Sequence, residues 1–269
     1  MRYVLDHDFH VHTQLSPCSD DPEQTPERIL QYAKELDLKT VITTDHYWDE
    51  RIHSETDVYG IDNATIHSWG PYPQKDGIRM LIGAEADIDR NGVLGIDRHT
   101  CDDFDFILIS ATHMHMDGFT CRGDEDLKER IDLYIRRLEI ILNADIPHEK
   151  IGFTHPITPL IYPVEDKFCE VIDSISDDEL RRLLGRAAEL GMGIEINISS
   201  TRDYYDPNYN IERRIPSMLR FYRIAKEAGC KFFFGSDAHS PGDFGFYKPM
   251  AEQMIDQLGL EESDKFILK

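Results

Sequence analysis

His10 and His12 stand two residues apart, and so do Asp237 and His239. On an extended segment that spacing turns both side chains of a pair toward the same face. Imidazole and carboxylate are suitable ligands for Zn²⁺, Mn²⁺ or Fe²⁺, so each pair offers part of a metal site. Similar groups recur: His46 closes Thr44-Asp45-His46, Glu85 follows Ile82-Gly83-Ala84, and His113 follows Ala111-Thr112. His155 precedes Pro156, and Glu195 and Asn197 form a further polar pair. A carboxylate such as Glu85 can bridge two cations. A lone histidine is more often a satisfied core or loop residue than a ligand, so the argument rests on recurrence after successive apolar runs. His115 could replace His113 as a ligand, since both would face the same way on an extended segment. His113 is preferred because it follows its strand directly. His7, His53, His67, His99 and His148 lack such placement and read as surface or loop residues, with His53 and His67 as substrate-loop candidates.

Other chemistries find little support. The chain has no Gly-x-Ser-x-Gly elbow, no recognisable catalytic cysteine signature and no glycine-rich phosphate loop. Gly235-Ser236-Asp237-Ala238-His239 is better explained by its Asp and His.

The elements that must position these residues alternate short apolar runs with longer amphipathic ones, the rhythm of a parallel β/α sheet or barrel. Strands are predicted at residues 3–9, 40–43, 80–84, 106–110, 151–154, 193–196 and 231–234. Helices are predicted at 25–36, with Thr25 as N-cap and Pro26 in the first position, and at 125–142, where apolar residues recur near the 3.6 period. Ser176 and Glu179 form a capping-box signature for a helix to about residue 190, with Gly191 at its C-cap. Two more are expected at 216–228 and 250–258. In a β/α barrel the C-terminal ends of the strands open onto one face, where active sites lie. The spans 47–77 and 201–215 break the rhythm; loops of that length are usually functional or else disordered, and the aromatics and arginines in both favour function. The first, with Trp48, Trp69 and Tyr72, is expected to lid the pocket. No repeat or linker marks an internal boundary, so a single domain over residues 1–269 is expected.

The 269 residues carry 51 acidic and 29 basic side chains, a net charge of −22. That balance argues against broad contact with nucleic-acid backbones, but bound cations can reverse the local field for a small anion. Five cysteines, odd in number and without a CxxC pair, point to a reducing compartment. Neither a signal-peptide core nor a membrane-length apolar run is present, so a cytoplasmic protein is expected.

Taken together and in this order, His10-x-His12, Thr44-Asp45-His46, Ile82-Gly-Ala-Glu85, His113, His155-Pro156 and Gly235-Ser-Asp237-Ala-His239 resemble the PHP (polymerase and histidinol phosphatase) superfamily, over residues 8–245. The resemblance implies an α/β fold, a distorted (β/α)7, TIM-barrel-like barrel, with two or three divalent metal ions (Zn, Mn or Fe). It implies one ion held by His10, His12, Glu85 and Asp237, and a second sharing Glu85 with His113 and His155. A third would take His46, His239 and a ligand from the loop after His12. That loop reads Ser16-Pro17-Cys18-Ser19-Asp20, and Cys18 falls where histidinol-phosphatase relatives carry His. A Cys18 thiolate is a legitimate zinc ligand, with Asp20 as the alternative.

Glu195-Ile-Asn197 followed by Arg202 resembles the segment in which those phosphatases grip phosphate; the plain alternative is a loop arginine paired with Asp203 or Asp206. The implied activity is hydrolysis of a small phosphate monoester by metal-bound hydroxide, histidinol-phosphatase-like or on a nucleotide or sugar phosphate. Asp237, His46 and His239 are its expected catalytic residues. The expected partner is a small phosphorylated metabolite rather than a nucleic acid or a membrane. A metal-dependent amidohydrolase or TatD-like nuclease is disfavoured by His239 beside Asp237 and by the acidity. A non-catalytic, metal-stabilised interaction module is disfavoured by the full ligand set.

Overall fold

Seven parallel strands follow one another around one sheet in chain order, β1 (His7–Val11), β2 (Thr40–Tyr47), β3 (Arg79–Ala86), β4 (Phe106–Ile109), β5 (Ile151–Phe153), β6 (Gly193–Asn197) and β7 (Lys231–Gly235). The computed structural model describes every residue except Pro73, Lys75 and Lys269. Helices α1 (Pro26–Glu35), α2 (Asn63–Ile66), α3 (Leu127–Asn143), α4 (Lys167–Ser174), α5 (Asp177–Leu190), α6 (Ile198–Tyr205), α7 (Ile211–Glu227) and α8 (Phe244–Leu258) lie in the connections. The result is a nearly closed α/β barrel of TIM-barrel type. Among the described residues no helix is long and apolar enough to cross a membrane.

Local signals explain several boundaries. Thr25 accepts the Arg28 N–H and Pro26 opens α1. Ser176 caps α5, and Gly191 ends it with φ 78°. Elsewhere tertiary packing overrides local preference. The first strand starts at His7 and not at residue 3; Tyr3 is instead buried, its hydroxyl donating to the Phe232 carbonyl. The span 201–215 is mostly helical, because the Asn197 side chain accepts the Ser200 N–H and starts α6 directly at the end of β6. Helices α7 and α8 begin before Pro216 and residue 250, each carrying an internal proline, Pro216 and Pro249.

Alternate residues of a strand face the barrel interior or the helices. Val41, Ile107, Ile109, Ile194, Phe232 and Phe234 belong to the core shared with the helices. Phe9, Ile42, Phe106, Leu108, Phe233 and Phe266 form a separate apolar plug. Gly152 leaves room for it, since a Cβ there would lie 2.7 Å from the rings of both Phe106 and Phe233.

Strand β1 departs from simple alternation. Its pairing with β2 slips between Asp8 and Val11, so that three steps on β1 match two on β2. An extra residue of this kind re-aims side chains, and it lets Phe9 enter the plug while His10 and His12 reach the mouth. The seam between β1 and β7 is closed partly by side chains. His7 Nε2 accepts the Phe234 N–H (3.1 Å) and Asp8 accepts the Ser236 N–H (2.9 Å). Further along, Asp237 N–H donates to the His10 carbonyl (2.8 Å) and His12 N–H to the Ala238 carbonyl (3.1 Å). His7 is therefore a buried seam residue and not a surface one. His148 is also buried, donating from Nε2 to the Ile141 carbonyl.

Candidate metal centre

His10, at the bulge of β1, is oriented from behind. Its Nδ1–H donates to Glu195 Oε1 (2.8 Å), which leaves the Nε2 lone pair facing inward. Glu195 is held in turn by the Thr154 hydroxyl (2.6 Å) and the His155 N–H (2.5 Å). Space for this carboxylate exists because residue 235 is glycine; a Cβ there would lie 2.1 Å from Glu195 Oε1. His10 Nε2 then lies 3.1 Å from His12 Nε2, with Asp237 Oδ1 at 3.3 Å from the first and 3.2 Å from the second.

Glu85, near the end of β3, is buried at the centre, and its two oxygens face different histidines. Oε2 lies 3.6 Å from His10 Nε2, 3.4 Å from His12 Nε2 and 3.4 Å from His46 Nδ1. Oε1 lies 2.8 Å from His155 Nε2 and 3.7 Å from His113 Nε2. His113 Nδ1–H donates to Asp87 Oδ1 (2.9 Å), and His155 Nδ1 bonds Thr112 Oγ1 (2.6 Å). His239 Nδ1–H donates to the Asp237 carbonyl (2.9 Å). A hydrogen bond on the outer ring nitrogen fixes which nitrogen remains to bind a metal. The segment carrying His113 is anchored by Arg137 of α3, fully buried and donating to the carbonyls of Ser110, Ala111, Ile88 and Thr120.

Among the described residues the donor atoms form five overlapping groups, each within 4.8 Å. These are His10–His12–Asp237, His12–His46–Glu85, Glu85–His113–His155, His46–Asp87–His113 and His12–Cys18–His239. Divalent cations fit this set. Inward lone pairs meet carboxylate oxygens with few hydrogens to share, and buried His46 Nδ1 and Asp87 Oδ2 have no hydrogen-bond partner among the described residues. The field agrees. Burial alone would raise the Glu85 pKa, yet His46, His10 and His113 hold it well below its usual range. Asp237 is likewise depressed against its burial, chiefly by His10. Burial disfavours a charged His10, but Asp237, Glu195 and Glu85 raise its pKa well above the ordinary value. Carboxylates that would otherwise hold imidazolium provide the potential for a metal cation. Cys18 follows the same pattern: burial opposes the thiolate, but His12 and hydrogen bonds to His239 and His46 bring its pKa down to about 3.

Two residues here hold unusual backbone conformations, His155 at φ 25° and Asp237 at φ 55°. Such strain in non-glycine residues concentrates at functional sites.

A cavity of about 540 Å³ opens over this centre. Asp57, Val58 and Tyr59 line it from the long loop, opposite Met116, Phe119 and Leu160. Trp48, Trp69 and Tyr72 of the same loop pack into the interior instead of capping the cavity. Trp48 lies edge-on to Phe119, and Tyr72 accepts the Thr43 hydroxyl. His115 lines the cavity but joins none of the donor groups among the described residues, nor does exposed Asp20. His53 is exposed and His67 stacks on Phe104, both away from the cavity lining. Arg202, on α6, lies 3.4 Å from Asp243 Oδ1 and over the Phe246 ring. Asp243 caps the His239 and Ser240 N–H groups, so Arg202 touches the loop that carries His239. Sequence reasoning marked Glu195 only as a polar strand-end residue, not as the support of His10, and gave no role to Asp87 or Thr112. Asp87 could have been found, since it lies two residues beyond Glu85 on the same strand face.

The chain resembles the histidinol phosphate phosphatase of Lactococcus lactis subsp. lactis, solved with zinc, L-histidinol and phosphate. Identity is 19%, with 98% of this chain and 100% of that chain covered and a TM-score of 0.60, a likeness of fold. The ochratoxinase of A. niger superposes at a TM-score of 0.46 and 11% identity, covering 98% of this chain and 68% of that one. No curated protein matches the chain by sequence. The PHP domain pattern matches residues 8–199, most of the chain, and the protein belongs to the PHP domain family.

Proposed function

We propose that this protein is a metal-dependent phosphomonoester hydrolase acting on a small phosphorylated metabolite. The observation that carries the reading is the placement of Glu85, buried with His10, His12 and His46 at one oxygen and His113 and His155 at the other. His10, His12, Glu85 and Asp237 would hold one divalent cation, zinc, manganese or iron, and Glu85, His113 and His155 a second. Cations held there would supply Lewis acidity toward a phosphoryl group and an attacking water.

The protein's own groups orient and shield. Glu195, Asp87 and Thr112 fix the rings of His10, His113 and His155, and the mostly apolar wall of Val58, Met116, Phe119 and Leu160 limits access of bulk water. With Nδ1–H engaged, His239 keeps Nε2 as its lone-pair atom, and it lines the cavity together with His46 and Asp237. We assign His239 and His46 to the leaving oxygen, as protonated imidazoles or through a cation they hold, and Asp237 to the cation it shares with His10 and His12. Arg202 is the proposed phosphate contact from α6, and its pair with Asp243 would have to open for the guanidinium to reach an anion.

The test is a screen of phosphorylated metabolites and p-nitrophenyl phosphate, with an acylated amine as control, after elemental analysis and with Mn²⁺, Fe²⁺ and Zn²⁺ added separately. Metal-dependent release of phosphate from a monoester is expected. Metal-loaded protein that hydrolyses no monoester would overturn the reading.

A further inference from the structure

The cavity over the metal centre has a floor and a wall of opposite character. The floor is the imidazole and carboxylate donor set. The wall is formed by Val58 and Tyr59 of the long loop, facing Met116 and Phe119 between β4 and α3 and Leu160 between β5 and α4. None of these five side chains brings a charge, and among the described residues no lysine or arginine lines the cavity. Beside His115, the polar group on the wall is Asp57, a carboxylate. Arg202 stands outside the lining, 3.4 Å from Asp243 Oδ1.

The wall is preformed. The long loop returns to the end of β2, where the Ile61 N–H donates to the His46 carbonyl (2.9 Å). Gly60 permits this close approach: a Cβ there would lie 2.9 Å from the Trp48 nitrogen, and its φ of 149° suits glycine. Tyr59 is thereby set edge-on to His46, with ring centroids 5.1 Å apart. Across the cavity the Phe119 N–H donates to the Met116 carbonyl (3.1 Å), and the Phe119 carbonyl accepts the Arg90 N–H (2.7 Å). Val58, at the rim, is 44% exposed, an apolar side chain that a ligand would cover.

We infer that the alcohol part of the ester is an apolar alkyl or aryl group that carries no second phosphate or carboxylate. The inference rests on the phosphomonoesterase reading above and narrows its substrate. An ester whose phosphate lies at the floor has to pass its alcohol part along the wall. Alkyl or aryl surface there replaces water on Val58, Met116, Phe119 and Leu160. The hydroxyls of a sugar or a nucleoside would lose water against the same surface and find few partners. A second anion would meet Asp57 and, with Arg202 engaged by the first, no cationic arginine or lysine among the described residues of the lining.

The experiment measures kcat/KM of the metal-loaded full-length protein on ethyl, butyl, hexyl and 2-phenylethyl phosphate, whose alcohols leave with similar ease, beside glucose 6-phosphate, AMP and fructose 1,6-bisphosphate. From ethyl to hexyl phosphate the value should rise by at least about tenfold, and the sugar and nucleotide esters should fall below hexyl phosphate. Leu160→Asn should cut the hexyl-to-ethyl ratio several-fold. Val58→Asn, at an exposed position where folding is not at stake, should cut it in the same direction. A flat series, a preference for the sugar or nucleotide esters, or a ratio unmoved in every variant that folds would overturn this inference and leave the monoesterase reading standing. Hydrolysis of none of these esters would remove both.

Discussion

The two ends of the barrel interior are built from the same strands and obey opposite rules. At the lower end, Phe9, Phe106, Phe233 and Phe266 meet with ring centroids 5.3 to 5.9 Å apart, and Ile42 and Leu108 complete a plug of apolar side chains. Four residues further along, Ile42 gives way to His46 and Phe233 to Asp237. The plug gains stability from area removed from water. The mouth buries carboxylates and imidazoles, an arrangement whose desolvation weighs against folding unless partners or cations compensate, and it bends Asp237 and His155 into left-handed conformations. Burial by itself therefore says little about what a residue is for. The plug holds the barrel together, whereas the mouth is tolerated for its chemistry.

Substitutions at the two ends should separate accordingly. The largest effect is expected from Glu85→Gln, which takes the charge from the carboxylate facing five histidines. Metal content should fall and monoesterase turnover drop by at least about 10³-fold, and the metal-free protein should lose stability as well, because its histidines lose the carboxylate charge that faces them. A Glu85→Gln protein that kept its metal content and turnover would make Glu85 a structural residue and erase the contrast. Next, Phe106→Ala in the plug should cost about 3–5 kcal/mol of stability in urea denaturation, with metal stoichiometry kept in the folded fraction. Loss of metal in parallel would show that the two ends are not separable. Glu195→Gln stands between them, since it touches His10 and not the cavity. Metal affinity by chelator competition should weaken about 10–100-fold, with the fold intact by circular dichroism. Unchanged affinity would mean that His10 needs no support from behind.

The difference between the ends also decides what could be read in advance. The mouth residues stood out because histidine and acid after an apolar run are conspicuous, and the barrel rule brings such positions to one face. The strands carrying them, from β2 to β7, start within a residue of where the apolar runs begin. The support behind them was hidden. Glu195 reaches His10 only because Gly235, forty residues later, lacks a side chain, and Arg137 reads as one more helical arginine until its carbonyl partners are seen. Tyr3-Val4-Leu5 looked like strand because apolar periodicity cannot tell a strand from a buried approach segment. The bulge that follows depends on the partner strands and leaves no local mark. The helices expected from residues 216 and 250 start earlier, at Ile211 and Phe244, where packing carries them past Pro216 and Pro249, and Trp48 and Trp69 suggested a lid where they serve as anchors.

A carboxylate with purely structural partners sharpens the contrast most finely. Asp49, just beyond β2, is buried and accepts from the Arg51 N–H (2.9 Å), Arg51 Nε (2.8 Å) and the Thr100 hydroxyl (2.5 Å). The Arg51 hydrogen bond, against the opposing effect of burial, brings its pKa from 3.8 down to about 2. A carboxyl depressed by folding contributes stability that is complete above its unfolded pKa and is lost as pH falls through the folded value. The window here therefore runs from about pH 4 down to about pH 2. Because the Arg51 side chain is half exposed, solvent screening holds the contribution to about 1 kcal/mol. Asp49→Asn should accordingly be less stable than wild type by about that amount in urea at neutral pH, and the two should converge below pH 4. Metal content should be untouched by Asp49→Asn, the reverse of the outcome expected at Glu85, where the same loss of charge weakens metal binding. A gap between Asp49→Asn and wild type that stayed constant from pH 6 to pH 3 would show that the pair contributes through shape alone.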